Sequence, residues 1–173
     1  METTPPGHIK INIDGAWIKE TKFTDVCALA RDCNGSMIDG STRLCVSGSS
    51  LEAEARASLE AVELSERIPH VPILLESDSK YLVDSINNIS SNCHWRIAPI
   101  ISKIKNDITL LHRSTWFWVP REANPAADLV ALLVVQKKCS DVWIDRPPSS
   151  LVFVLSRDGL PYPLPPNPNC GPS

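Results

Sequence analysis

Four acidic residues stand where a carboxylate invites a chemical explanation: Asp14, Glu54, Asp78 and Asp128. Glu54 is the most telling. On a helix, Glu54, Ala57, Ala61, Leu64 and Ile68 share one stripe, so a carboxylate opens an otherwise apolar line. Burying a bare carboxylate is costly unless a cation or hydrogen-bond donors meet it. The ordinary alternative is a first-turn acid favoured by the helix dipole. Asp78 follows an apolar run and precedes a helical one. Its ordinary role is an N-cap, although Ser77 and Ser79 can cap equally well. Asp128 follows Asn124-Pro125 in a first helical turn and shares a face with Leu132 and Val135; dipole compensation explains it equally well. Asp14 precedes Gly15 at a strand end, where an Asp-Gly turn is the alternative.

Taken together, these acids fall at the ends of two strands and the starts of two helices. In an α/β sheet, strand carboxyl ends and helix N-termini meet on one rim, where ligands bind. Several carboxylates with no Arg nearby repel one another unless a cation joins them. Hard oxygen donors suit Mg²⁺ or Mn²⁺.

The elements that must position these acids are legible from periodicity. Ile9, Ile11 and Ile13 alternate with polar residues, which predicts a strand over Ile9–Asp14, with Gly15 relaxing the backbone after it. A second strand is expected over about Phe23–Arg31, an Asn34-Gly35 hairpin turn next, and a third strand over about Ser36–Val46. Ser49 and Glu52 form a capping box that opens a helix through Arg67. Pro69 and Pro72 break it, and Val71–Glu76 reads as a buried central strand. Helices follow over about Lys80–Ile89 and Ile97–Leu111, then an aromatic strand Thr115–Val119 and a last helix from Asn124 to Lys138. Strands four and five, each reached through helices, are expected parallel to strand one.

Bulk composition bounds the rest. A chain of 173 residues with a formal charge of −3 fits one domain plus an extension and carries no global basic signature. Cys27, Cys33, Cys45, Cys93, Cys139 and Cys170 form no CxxC pair, and no signal peptide or membrane-length apolar run is visible. Free thiols in a reducing compartment, nucleus or cytoplasm, are expected. Eight of the 15 prolines lie beyond Ser140, so residues 140–173 read as a Pro-rich extension. Trp116 and Trp118 share a strand face, where core packing is favoured over base stacking.

Four ordered segments carry a resemblance: Ile11-Asn-Ile-Asp-Gly-Ala16, Leu51-Glu-Ala-Glu-Ala55, Glu76-Ser-Asp-Ser-Lys80, and Val119-Pro-Arg-Glu-Ala-Asn124 followed by Ala127-Asp128. Over about Ile9 to Lys138 the chain resembles the plant, retroelement-related, reverse-transcriptase-like branch of the ribonuclease H family. The resemblance implies an α/β ribonuclease H-like fold over residues 8–139, a mixed five-stranded sheet flanked by helices. It also implies metal-dependent cleavage of the RNA strand of RNA–DNA hybrids. Separately, a monomer with no membrane partner is expected. By resemblance, Asp14, Glu54, Asp78 and Asp128 are both the catalytic residues and the metal ligands, holding two Mg²⁺ (or Mn²⁺) ions.

Two departures accompany it. The family commonly places His just before the Val-Pro-Arg-Glu-Ala-Asn segment, and Trp118 stands there instead. The second strand lacks the family's glycines, and Asp25 in their place would oppose a substrate phosphate. Lys103, Lys105 and Arg113 form no compact basic handle. Over residues 8–139, setting the four acids aside leaves three net positive charges, compatible with weak phosphate contact. The function readings are therefore a hybrid-cleaving endoribonuclease or a catalytically weak, domesticated nucleic-acid- or protein-binding module.

Overall fold

The computed structural model describes residues 4–68, 71–87, 93–111 and 114–121. The expected helix over Asn124–Lys138, Asp128 with it, and the Pro-rich extension 140–173 lie outside them. The described elements are β1 (Ile9–Trp17), β2 (Phe23–Arg31), β3 (Met37–Val46), α1 (Ser50–Arg67), β4 (Ile73–Ser77), α2 (Lys80–Ile86), α3 (Ala98–Leu111) and β5 (Ser114–Trp118). The strands form one mixed sheet in the order β3-β2-β1-β4-β5. β1, β2 and β3 pair antiparallel, whereas β4 runs parallel to both β1 and β5.

The alternation of β1 gives its two faces opposite characters. Ile9, Ile11 and Ile13 enter a core with Val26, Ala28 and Ala30 of β2 and the Ala57, Ala61 and Leu64 stripe of α1. α1 lies across β1 and β2 with α3 beside it. Lys10, Asn12 and Asp14 project to the other face. There Lys10 Nζ reaches Glu76 Oε1 at 2.9 Å, and Asn12 Nδ2 donates to Glu76 Oε2 at 3.0 Å. Arg31 donates to the Asn12 side-chain oxygen. All four residues are buried. A buried charge persists only when it is paired and hydrogen-bonded, so this network ties β2, β1 and β4 together one step below Asp14.

Three local expectations are corrected. β1 does not end at Asp14 in a turn; it continues to Trp17, with Asp14 opposite Cys27 and Gly15 opposite Val26. At the β2–β3 connection only Gly35 takes positive φ, at 80°, so the two-residue turn with both central residues at positive φ does not form. Instead Asp32 Oδ1 accepts from the backbone N–H groups of Asn34 and Ser36, organising a wider turn. At the start of α1, Ser49 Oγ accepts from Glu52 N as expected, but the Glu52 carboxylate reaches past Ser49 to the Gly48 N–H at 2.9 Å. No helix among the described residues is long and apolar enough to cross a membrane.

Candidate metal centre

Three of the four expected acids converge. Asp14 from β1, Glu54 from the first turns of α1, and Asp78 from the β4–α2 junction each place an oxygen within 4.8 Å of the other two. Metal–oxygen bonds of about 2.0–2.6 Å span such a triangle after small side-chain rotations. Asp128, expected as the fourth ligand, lies outside the described residues.

Each acid owes its place to a specific local feature. Asp14 sits on a strand locked in register on both sides. Glu54 is brought in by Gly15. A Cβ on Gly15 would lie 2.8 Å from both the carbonyl carbon and oxygen of Ala53, so only glycine lets α1 lie this close to β1. The Gly15 N–H in turn hydrogen-bonds the Glu54 carboxylate. Asp78 is not the cap of α2; Ser79 occupies that position, while Ser77 Oγ accepts from the Ser79 N–H at 3.2 Å.

The electrostatics of the site are those of a place short of positive charge. Glu54 Oε2 is buried and has no hydrogen-bond partner among the described residues. Burial first, then the negative charges of Asp14 and Asp78, push the Glu54 carboxyl well above the usual carboxylate range. Arg121 and the Gly15 N–H act in the opposite direction. An orphaned, desolvated oxygen among three hard donors fits a divalent cation such as Mg²⁺ or Mn²⁺.

An open cavity of about 420 Å³ adjoins the triad, between residues 14–17 of β1, Ser50 and Glu54 of α1, and Arg121. The sequence reading placed no Arg near the acids, and the structure corrects it. Arg121 lies inside the segment that carried the resemblance, but no local pattern distinguishes an inward-reaching Arg from a solvated one. Asp25 is corrected too. It is 2% exposed, and burial raises its carboxyl above the ordinary value, so it is a core residue and not a surface charge facing a phosphate.

The aromatic strand divides. Trp116 is buried, as expected for packing, but Trp118 on the same face is 47% exposed. Its indole Nε1–H donates to the Asp78 carbonyl at 3.0 Å, and Lys80 Nζ lies 5.8 Å from the ring centroid.

A family profile described as "Reverse transcriptase-like" matches residues 12–134. No curated protein matches the chain in sequence. Among solved structures, the fold is similar to LC11-RNase H1, isolated from compost by a metagenomic approach and solved in complex with an RNA/DNA hybrid. That structure has a TM-score of 0.68 and 18% identity over 76% of this chain and 99% of the other. The N-terminal RNase H domain of a Mycobacterium tuberculosis protein has a TM-score of 0.68 and 17% identity over 76% and 95%. RNase H1 from Halobacterium salinarum has a TM-score of 0.63 and 18% identity over 76% and 99%. The mixed five-stranded sheet with its flanking helices is thus the ribonuclease H-like fold.

Proposed function

The chain belongs to the reverse transcriptase-like family, and from that premise we propose that it is a metal-dependent endoribonuclease cutting the RNA strand of RNA–DNA hybrids. One observation carries this reading: acids from three separate elements meet within 4.8 Å, around a buried carboxylate oxygen that nothing among the described residues satisfies. The described solved relative that holds an RNA/DNA hybrid supports the substrate class. The four sequence segments support the plant, retroelement-related branch as the closer kinship.

In this reading Asp14, Glu54, Asp78 and Asp128 hold two divalent ions, Mg²⁺ or Mn²⁺. Bound there, the ions supply an activated water and charge stabilisation for the leaving oxygen. The protein's own groups do the positioning. The register of β1 and the clearance at Gly15 fix Asp14 against Glu54. Arg121, at the edge of the cavity, gives a backbone phosphate a positive neighbour. The catalytic domain spans residues 8–139, with 140–173 as an extension.

The test is cleavage of an end-labelled hybrid by the full chain, with and without Mn²⁺ or Mg²⁺, beside duplex DNA and duplex RNA. The RNA strand of the hybrid should be cut only with metal, and Asp14→Asn, Glu54→Gln and Asp128→Asn should each reduce cutting to background. Trp118 in the place of the family's His favours a second reading, a non-catalytic nucleic-acid-binding module. A wild-type protein that binds metal and hybrid without cutting would establish that reading instead.

A further inference from the structure

Asp78 sits on the junction between β4 and α2, after the last residue of a strand and before the cap of a short helix. Such junctions hold a side chain only as well as their backbone is held. α2 has seven residues, and its cap Ser79 makes no side-chain capping bond. β5 adds a restraint. Val119 N donates to the Ser77 carbonyl at 3.0 Å, extending the β4–β5 pairing to the edge of the junction. One residue further, the Trp118 indole N–H donates to the Asp78 carbonyl, which also accepts the Lys80 N–H at 3.1 Å. Lys80, the first residue of α2, is near the same indole ring.

We propose that Trp118 is a positioning residue: its indole N–H braces the Asp78 backbone and so aims the Asp78 carboxylate at the metal centre. The contrast with Trp116 argues for this role. Trp116 is 5% exposed and belongs to the core, whereas Trp118 leaves 47% of its surface open, so burial alone does not account for a large aromatic there. The donor is what the position uses. Where the family's His would bring an imidazole, this chain brings a neutral, permanent N–H donor. The inference rests on the reading of Asp78 as a metal ligand.

Trp118→Phe keeps an aromatic ring beside Lys80 and removes the donor. Mn²⁺ affinity, measured by calorimetry on the full chain, should fall about tenfold, the usual scale for losing a group that orients a ligand. The metal-free melting temperature should hardly change, because the side chain is half-exposed. In an Asp78→Asn background the same substitution should change Mn²⁺ affinity no further, while in a Glu54→Gln background the loss should persist. A second measurement needs no variant at the site: in the wild-type protein, the assigned Trp118 indole ¹⁵N–¹H resonance should move on addition of Mg²⁺. Unchanged Mn²⁺ affinity in Trp118→Phe, an equal loss in the Asp78→Asn background, or an indole resonance indifferent to Mg²⁺ would overturn the brace alone. A wild-type protein with no Mn²⁺ affinity would overturn the metal centre beneath it as well.

Discussion

At Glu54 two unfavourable effects coincide, loss of solvent and the proximity of two like charges. A divalent cation relieves both at once, so metal should stabilise the fold as well as equip it for chemistry. At a concentration 100-fold above Kd, a ligand stabilises by about 2.7 kcal/mol, or roughly 5–10 °C in a chain of this length. Mg²⁺ or Mn²⁺ should therefore raise the melting temperature of the wild-type protein by about that much. Asp14→Asn should melt higher than wild type without metal, because one repelling charge is gone, and should lose the metal response. An Asp14→Asn protein that still responds fully would place the ion elsewhere. Asp25 provides a pH test away from the site. Burial raises its folded-state pKa above the unfolded value of about 3.9. Its contribution to stability is thus fully present below about pH 4 and is lost as pH rises through the folded value. Asp25→Asn should match wild type near pH 4 and be more stable at pH 7, read from urea midpoints across that range. A difference that does not grow with pH would contradict a carboxyl at Asp25 that burial has raised.

Between elements, the approach of α1 to β1 is set by the missing side chain of Gly15. Gly15→Ala would put a methyl group 2.8 Å from the backbone of Ala53, which cannot swing aside as a side-chain end could. The helix or the strand must move, at a cost of about 1–3 kcal/mol, typical of overpacking. Because Glu54 follows Ala53, metal affinity should fall as well, which a Mn²⁺ titration beside a melting curve would show. Intact metal binding in a destabilised Gly15→Ala would mean that the helix position is not what aims Glu54. This residue also marks where sequence reading stops. Strand alternation, the helix stripe and Ser49 as cap are local patterns, and each was legible. Gly15 looked like the end of a strand because its clearance is demanded by a helix nearly 40 residues away. Glu52 reaching Gly48 and the turn organised by Asp32 depend on backbone geometry that composition does not encode. Asp14, Glu54 and Asp78, which the structure brings together, were legible in combination, as acids at strand ends and helix starts on one rim, although each alone had an ordinary explanation. Arg121 broke no pattern, and Trp118 stood out only as a replacement for the family's His, with nothing local to show where its N–H would donate.

For the whole molecule, the antiparallel meander of the first three strands and the parallel course of strands four and five followed from which connections were short and which carried helices, and the described strands pair in those directions. The remaining expectation concerns the C-terminus. Residues 161–173 contain six prolines and only Tyr162, Leu164 and Cys170 as apolar side chains. Such a segment has few backbone donors to share and little surface to bury, so ordering it would return little free energy against its entropy. Residues 140–160 differ, for Trp143 and the run Leu151-Val-Phe-Val-Leu155 are strongly apolar. Each large side chain of that kind, if buried, contributes about 1.5–3 kcal/mol. A chain ending at residue 160 should therefore melt within about 2 °C of the full chain, given that 1 kcal/mol moves a domain of this size by about 2–4 °C. It should also keep its full response to Mn²⁺. A chain ending at residue 139 should melt measurably lower than either. Calorimetry on the three lengths, each with and without Mn²⁺, separates the cases. A large loss on removing residues 161–173 would show that composition misjudges the tail, and no loss on removing residues 140–160 would show that the apolar run is not part of the fold.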